Sequence, residues 1–138
     1  MSHPDAIEIV VVGAHLSGMS LNHQLTEAGG ALVRSARTGP DYRLYLLPGA
    51  VPPKPGLIRE PGFAGAGATP GIEVEVWSLP TAAFGAFVAA IPAPLGVGKI
   101  RLDDGAQVSG FLCEAYALAD APEITHLGGW RAYVAQGV

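Results

Sequence analysis

The sequence predicts an α+β domain: a mixed or mostly antiparallel sheet with helices inserted singly between strands. Three observations lead there. The run Ile7 to Val12 is apolar at every position but Glu8, the pattern of a strand that runs into the core. Residues 71 to 79 alternate apolar and polar side chains, with Ile72, Val74 and Val76 on one face and Glu73, Glu75 and Trp77 on the other. Asp103-Asp104-Gly105 separates two further strand-like runs and carries the Asp-Gly signal of a tight hairpin turn.

The elements follow in order. Ile7 to Val12 is a strand, and Leu21 to Ala28 is a short helix stopped by Gly29-Gly30. Ala31 to Thr38 is a second strand, and Gly39-Pro40-Asp41 turns the chain into a third at Tyr42 to Leu47. Val51-Pro52-Pro53-Lys54-Pro55-Gly56 is a stiff strap: three prolines around one lysine fix backbone angles and can hold the Lys54 head at a defined place. Taken alone, the strap reads as an exposed turn. Leu57 to Glu60 is a short strand, and residues 60 to 71 form a small-residue loop expected to be mobile. Pro80 to Ala90 is a helix with Phe84, Phe87 and Val88 on one stripe. Lys99 to Leu102 and Val108 to Leu118 pair as strands, the second a long one. Pro122 to His126 is a helical turn, and Gly129 to Ala135 is a last helix whose Trp130, Arg131 and Tyr133 pack back onto the sheet.

A chain of 138 residues fits one domain, with residues 1 to 5 expected to be flexible. Apolar residues make up 49% and charged residues only 14%, so part of the surface is expected to be covered by a partner or a second copy. The formal charge is −4 with no basic stripe, which argues against nucleic-acid binding. The single cysteine, Cys113, allows no internal disulfide and reads as a small hydrophobe. No apolar run reaches the roughly 20 residues of a membrane span. The first residues lack a secretory pattern, so the cytoplasm is the expected location.

The chemistry is expected at the first turn. Gly13-Ala14-His15-Leu16-Ser17-Gly18 follows a core strand and leads into a helix, an arrangement that gathers backbone N–H groups for a carboxylate or phosphate. It is neither a Gly-x-Gly-x-x-Gly fingerprint nor a Gly-Lys-Ser/Thr phosphate loop. His15 and His23 bring proton-transfer groups near neutrality, and His15 on the turn is the stronger candidate. No ligand spacing supports a metal, and no cofactor is called for.

Several motifs then carry a family resemblance. Val11 to Leu25, Tyr42-Arg43-Leu44-Tyr45, Pro53 to Leu57, Ile72 to Trp77, Ile91 to Gly98, Gly110 to Glu114 and Gly128 to Tyr133 together resemble the C-terminal domain of allophanate hydrolases. The resemblance covers almost the whole chain. It implies a γ-glutamyl cyclotransferase-like fold, a small curved sheet or barrel with outer helices and a pocket at the first turn. In such relatives a Tyr-Gly-Ser-Leu turn offers amides to a substrate carboxylate, and Gly13-Ala14-His15-Leu16 stands in its place. The cyclotransferase glutamate of the later Glu-Gly motif is missing around Phe84-Gly85 and Leu95-Gly96, so the resemblance does not extend to cyclotransferase activity.

The implied reaction is decarboxylation of N-carboxycarbamate, made from allophanate by an amidase domain that has no counterpart here. The expected substrate is therefore a small anionic metabolite. The implied binding set is Gly13, Ala14, Leu16, Ser17, Asn22, Tyr45 and a cation, Lys54 or Lys99. His15, with His23 and Glu75 behind it, is the expected proton donor. Two alternatives stay open: a non-catalytic dicarboxylate-binding or accessory module for a separate amidase, or another small-metabolite enzyme on the same fold.

Overall fold

A computed structural model describes residues 5–65 and 70–136. Most of the expected flexible N-terminus, and residues 66–69 of the expected mobile loop, lie outside the described residues.

The strands are β1 (Ala6–Val11), β2 (Ala31–Arg37), β3 (Tyr42–Leu46), β4 (Pro55–Arg59), β5 (Glu73–Pro80), β6 (Leu95–Arg101) and β7 (Gln107–Cys113). The helices are α1 (Asn22–Glu27), α2 (Thr81–Ala89) and α3 (Trp130–Ala135). Five strands form one mixed sheet in the order β2-β5-β1-β7-β6, and β3 and β4 form a separate antiparallel pair. Pairing is antiparallel except between β1 and β7, which run parallel at Val10 and Gly110. The parallel contact is close. A Cβ at Gly110 would lie 2.7 Å from both Val10 Cβ and Ile100 Cδ1.

The sheet curls until its two edges meet. Thr38, just past β2, bridges Leu102, just past β6. Gly39 N donates to Arg101 O at 3.0 Å, and Asp103 N donates to Arg37 O at 2.9 Å. Closure of this kind removes the exposed backbone edge that an open sheet leaves at that end. It also explains the continuous apolar end of the first strand: Ile9, Val10 and Val11 are all 0% exposed, because the curved sheet covers one face and other elements the other, while Glu8 nearer the start of the strand stays exposed. Tyr42 fills the interior, its hydroxyl accepting from Arg101 N at 2.8 Å. The chain near its end runs along β3: Leu46 N donates to Pro122 O and Ile124 N to Leu44 O, each at 2.8 Å.

Three expectations need correction. The strand expected over 99–102, after a proline-glycine loop at 91–98, begins at Leu95, because Leu95 to Gly98 pair with Cys113 to Gly110. The strand expected over 108–118 ends at Cys113; Glu114 N turns aside to donate to Pro94 O at 3.0 Å, and Ala115–Leu118 is a 3-10 turn. The helical turn expected over 122–126 is a 3-10 turn at Thr125–Leu127. The last helix packs as expected, with Trp130 buried and stacked on Tyr133 at 4.9 Å. Among the described residues no helix is long and apolar enough to cross a membrane.

Thr38 is fully buried at the seam, its hydroxyl accepting from Ile72 N at 2.9 Å and donating to Gly39 O. Thr38→Val leaves a buried amide unpaired, so unfolding free energy should fall by about 1–3 kcal/mol. Urea titration checks it; an unchanged midpoint would show that the seam does not depend on this hydroxyl.

Candidate functional site

Strand β1 delivers the chain into a compact turn. Leu16 N donates to Gly13 O at 2.9 Å, Met19 N to Leu16 O at 2.9 Å and Leu21 N to Ala14 O at 2.8 Å. Asn22 Nδ2 donates to His15 O at 2.9 Å and braces the turn from the start of α1. Gly13 is required by a neighbour: a Cβ there would run into the Pro55 ring. That close approach sets the strap carrying Lys54 against the turn, and Leu47 N donates to Lys54 O at 3.0 Å to hold the strap's backbone.

The turn does bind a carboxylate, but that carboxylate is the protein's own. Glu75 Oε1 accepts from Ser17 N at 2.8 Å, Ser17 Oγ at 3.0 Å and Trp77 Nε1 at 3.0 Å. Its Oε2 accepts from the Arg131 guanidinium at 2.8 Å, and the same guanidinium nitrogen donates to Ser17 O at 2.8 Å. Burial alone would raise the Glu75 carboxyl pKa; the bonds from Trp77, Ser17 and Arg131 together outweigh it and hold the pKa below the usual carboxylate range. Closure of the sheet is why this polar face of β5 is buried rather than solvated.

The expected binding set changes accordingly. The Leu16 and Ser17 amides are taken up internally, and the Leu16 side chain is fully buried. Glu75 serves as an anchor of the turn. Among the described residues, the amides of Gly13, Ala14 and His15 have no protein acceptor.

A hollow of about 30 Å³ lies in front of these residues, walled by Gly13, Ala14, His15, Lys54, Pro55 and Phe111 among others. It adjoins a cleft of about 640 Å³ that shares His15, Lys54, Leu95 and Phe111 and is floored by α2 at Ala83, Ala86 and Phe87. A further cleft of about 570 Å³, beside Tyr116 and Asp120, shares Lys54 and Leu95. Lys54 thus stands where all three meet.

His15 forms a three-ring cluster with Phe111 at 5.1 Å and Phe87 edge-on at 5.4 Å, the two phenylalanine rings lying 5.9 Å from each other. A ring nitrogen, Nε2, lies 2.7 Å from Gln24 Oε1. Burial lowers the His15 pKa below its ordinary value; Gln24 opposes the shift, while the positive charges of Lys54 and His23 add to it. The imidazole of the free protein is therefore neutral at pH 7.

Other expected residues stand apart from the hollow. His23 is exposed on α1, about 200° around the helix from the buried Leu25, at the usual 100° per residue. Lys99 Nζ donates to Ser109 Oγ at 2.8 Å on the exposed surface of the β6–β7 pair. Tyr45 lies in β3, where buried Tyr42 and Leu44 face the core; like Lys99 it lines none of the three clefts. Sequence reasoning missed Gln24, Phe87 and Phe111 as neighbours of His15, and Arg131 as the partner of Glu75. Only the closed sheet brings them together.

Comparison with known proteins follows the same lines. A family model described as the allophanate hydrolase C-terminal domain matches residues 7–135. A urea amidolyase of Lachancea kluyveri is 37% identical over 97% of this chain, which spans 7% of that protein's length. The allophanate hydrolase of Kluyveromyces lactis superposes with a TM-score of 0.89 at 36% identity, over 96% of this chain and 22% of that one. A uropathogenic E. coli-specific protein superposes at 0.83 and 37% identity, over 94% of this chain and 96% of that one. An aig2-like mouse protein, 14% identical with a TM-score of 0.59 over 89% of this chain and 88% of that one, shares the fold.

The Glu75 network yields a pH prediction. Its native pKa is depressed, so the unfolded chain binds the proton more readily, and the stability it adds is present above about pH 4.3–4.5. That stability is lost as pH falls through the lowered native value. Denaturation midpoints of the wild type should drop on acidification below about pH 4.5 more steeply than those of Glu75→Gln. Parallel curves would remove Glu75 from the acid response.

Proposed function

The chain belongs to the allophanate hydrolase C-terminal domain family, and on that premise we propose that the hollow beside His15 binds a small dicarboxylate and that the domain decarboxylates N-carboxycarbamate in urea catabolism. One observation carries the reading: Gly13, Ala14 and His15, whose amides have no protein acceptor among the described residues, line a single small hollow together with Lys54. A hollow of about 30 Å³ suits one carboxylate end, since it exceeds the roughly 10–15 Å³ that one water occupies on this measure. The rest of the dianion lies in the wider cleft.

The chemistry then balances. The substrate is an imide-like nitrogen carrying two carboxylates. A proton goes to nitrogen, the bond from nitrogen to one carboxylate carbon breaks, its electron pair stays on nitrogen, and CO₂ leaves. The remaining carbamate takes a second proton and releases a second CO₂, giving ammonia. The Gly13–His15 amides and Lys54 hold the carboxylate that stays. Phe111 and Leu95 line the same clefts and favour neutral CO₂ over a carboxylate, because an apolar wall solvates charge poorly.

His15 supplies the proton. It is neutral in the free protein, and an entering dianion cancels the Lys54 field and stabilises the imidazolium, so binding loads the acid. Positioned proton transfer of this kind contributes ~10²–10⁴-fold.

A second reading, an accessory module for a separate amidase, draws support from α2. The helix has no charged residue and none of its side chains is fully buried, so a covering surface suits it. Under either reading the cytoplasm stays the expected location.

Turnover of enzymatically generated N-carboxycarbamate by the purified chain separates the two. His15→Ala should lower the rate ~10²-fold or more. Turnover equal to the uncatalysed background in the wild type would leave the accessory role; unchanged turnover in His15→Ala would remove His15 from the chemistry. The His15 pKa, followed by NMR, should rise when malonate is added, and a static value would contradict loading by the bound dianion.

A further inference from the structure

Which ring nitrogen of His15 carries the proton decides how it can act. Nε2 is 2.7 Å from Gln24 Oε1, an acceptor. Among the described residues Nδ1 has no protein partner. Gln24 stands on the rim of the 640 Å³ cleft that His15 also lines. A neutral imidazole has one N–H and one lone pair, and the bond made by one nitrogen sets the role of the other.

We propose that Gln24 is a positioning residue: its side-chain carbonyl holds the Nε2–H of His15, and Nδ1 is thereby the nitrogen that takes up a proton and hands it to the substrate nitrogen. This rests on the reading of His15 as the acid. The ring packs against Phe87 and Phe111, which also touch each other. Those contacts restrain its plane but do not choose between its nitrogens, since both faces of the ring are alike to an aromatic neighbour. Gln24 supplies that choice. It also favours the imidazolium, because its oxygen accepts from a ring that has become a stronger donor. The charged and titratable groups that bear on His15 are Lys54 on the strap and His23 on α1, both of which oppose the imidazolium, and Glu27 on the rim of the same cleft.

Conservative variants test it. In ¹⁵N-labelled wild type above pH 7, the ring shifts should report the Nε2–H tautomer. Gln24→Met keeps the length of the side chain and removes the acceptor. It should mix the two tautomers and lower kcat about tenfold with little change in KM, a fraction of what the whole transfer contributes. Gln24→Glu restores an acceptor with charge. It should restore the Nε2–H form, raise the His15 pKa and move the alkaline limb of the kcat profile, where the protonated ring is lost, to higher pH. An Nδ1–H tautomer in the wild type, or a tautomer ratio unmoved by Gln24→Met in a folded protein, would overturn the proposal. The tautomer is read without turnover, so failure here is distinct from failure of the catalytic reading, which His15→Ala decides.

Discussion

A buried carboxylate organises this molecule. Glu75 sits in β5, between β2 and β1 of a closed sheet, 3% exposed, and no water is needed to satisfy it because protein donors reach both its oxygens. They come from three separate stretches of chain: Ser17 on the first turn, Trp77 on its own strand and Arg131 on α3. Removing one partner from such a set leaves a buried charge uncompensated, which is far more costly than never having had the pair. The turn, the sheet and the last helix are therefore held to one another, and Arg131 adds a longer contact to Glu73 at 3.6 Å.

The turn consequently has two sides with different work. Its later amide, at Ser17, belongs to Glu75, and that at Leu16 closes on Gly13. Its earlier residues line the hollow with Lys54 opposite. An anchor on one side makes a stable cradle on the other, since donors already fixed in place need no reorganisation when charge arrives. The aromatic walls around His15 complete the setting. Burial among them lowers the imidazole's pKa below its ordinary value.

Much of this was legible from the residues. Each strand was found at least in part, because apolar runs and alternation report burial directly. The first half of β6, Leu95 to Gly98, was read as a loop because its glycines and the prolines before it mask the pairing with β7. The strand that ends at Cys113 was read too long. Its apolar character continues through Ala115-Tyr116-Ala117-Leu118, and no glycine or proline marks the bend; only the bond from Glu114 N to Pro94 O does. Alternation correctly put Glu73, Glu75 and Trp77 on one face, but whether that face meets water depends on closure, which local pattern does not encode. That the first turn offers donors to a carboxylate was legible in the same way, whereas the carboxylate seen there, the protein's own Glu75, was not foreseen. Gln24 gave no signal at all: a glutamine on an exposed helix face looks like any other until the fold sets a histidine beside it.

A crystal structure of the chain with malonate, which replaces the substrate nitrogen by carbon, tests the central claim most directly. One malonate carboxylate should lie within about 3 Å of amides of Gly13–His15 and of Lys54 Nζ, with the second pointing into the cleft past His15. Malonate bound elsewhere, or an empty hollow at saturating malonate, would contradict the account.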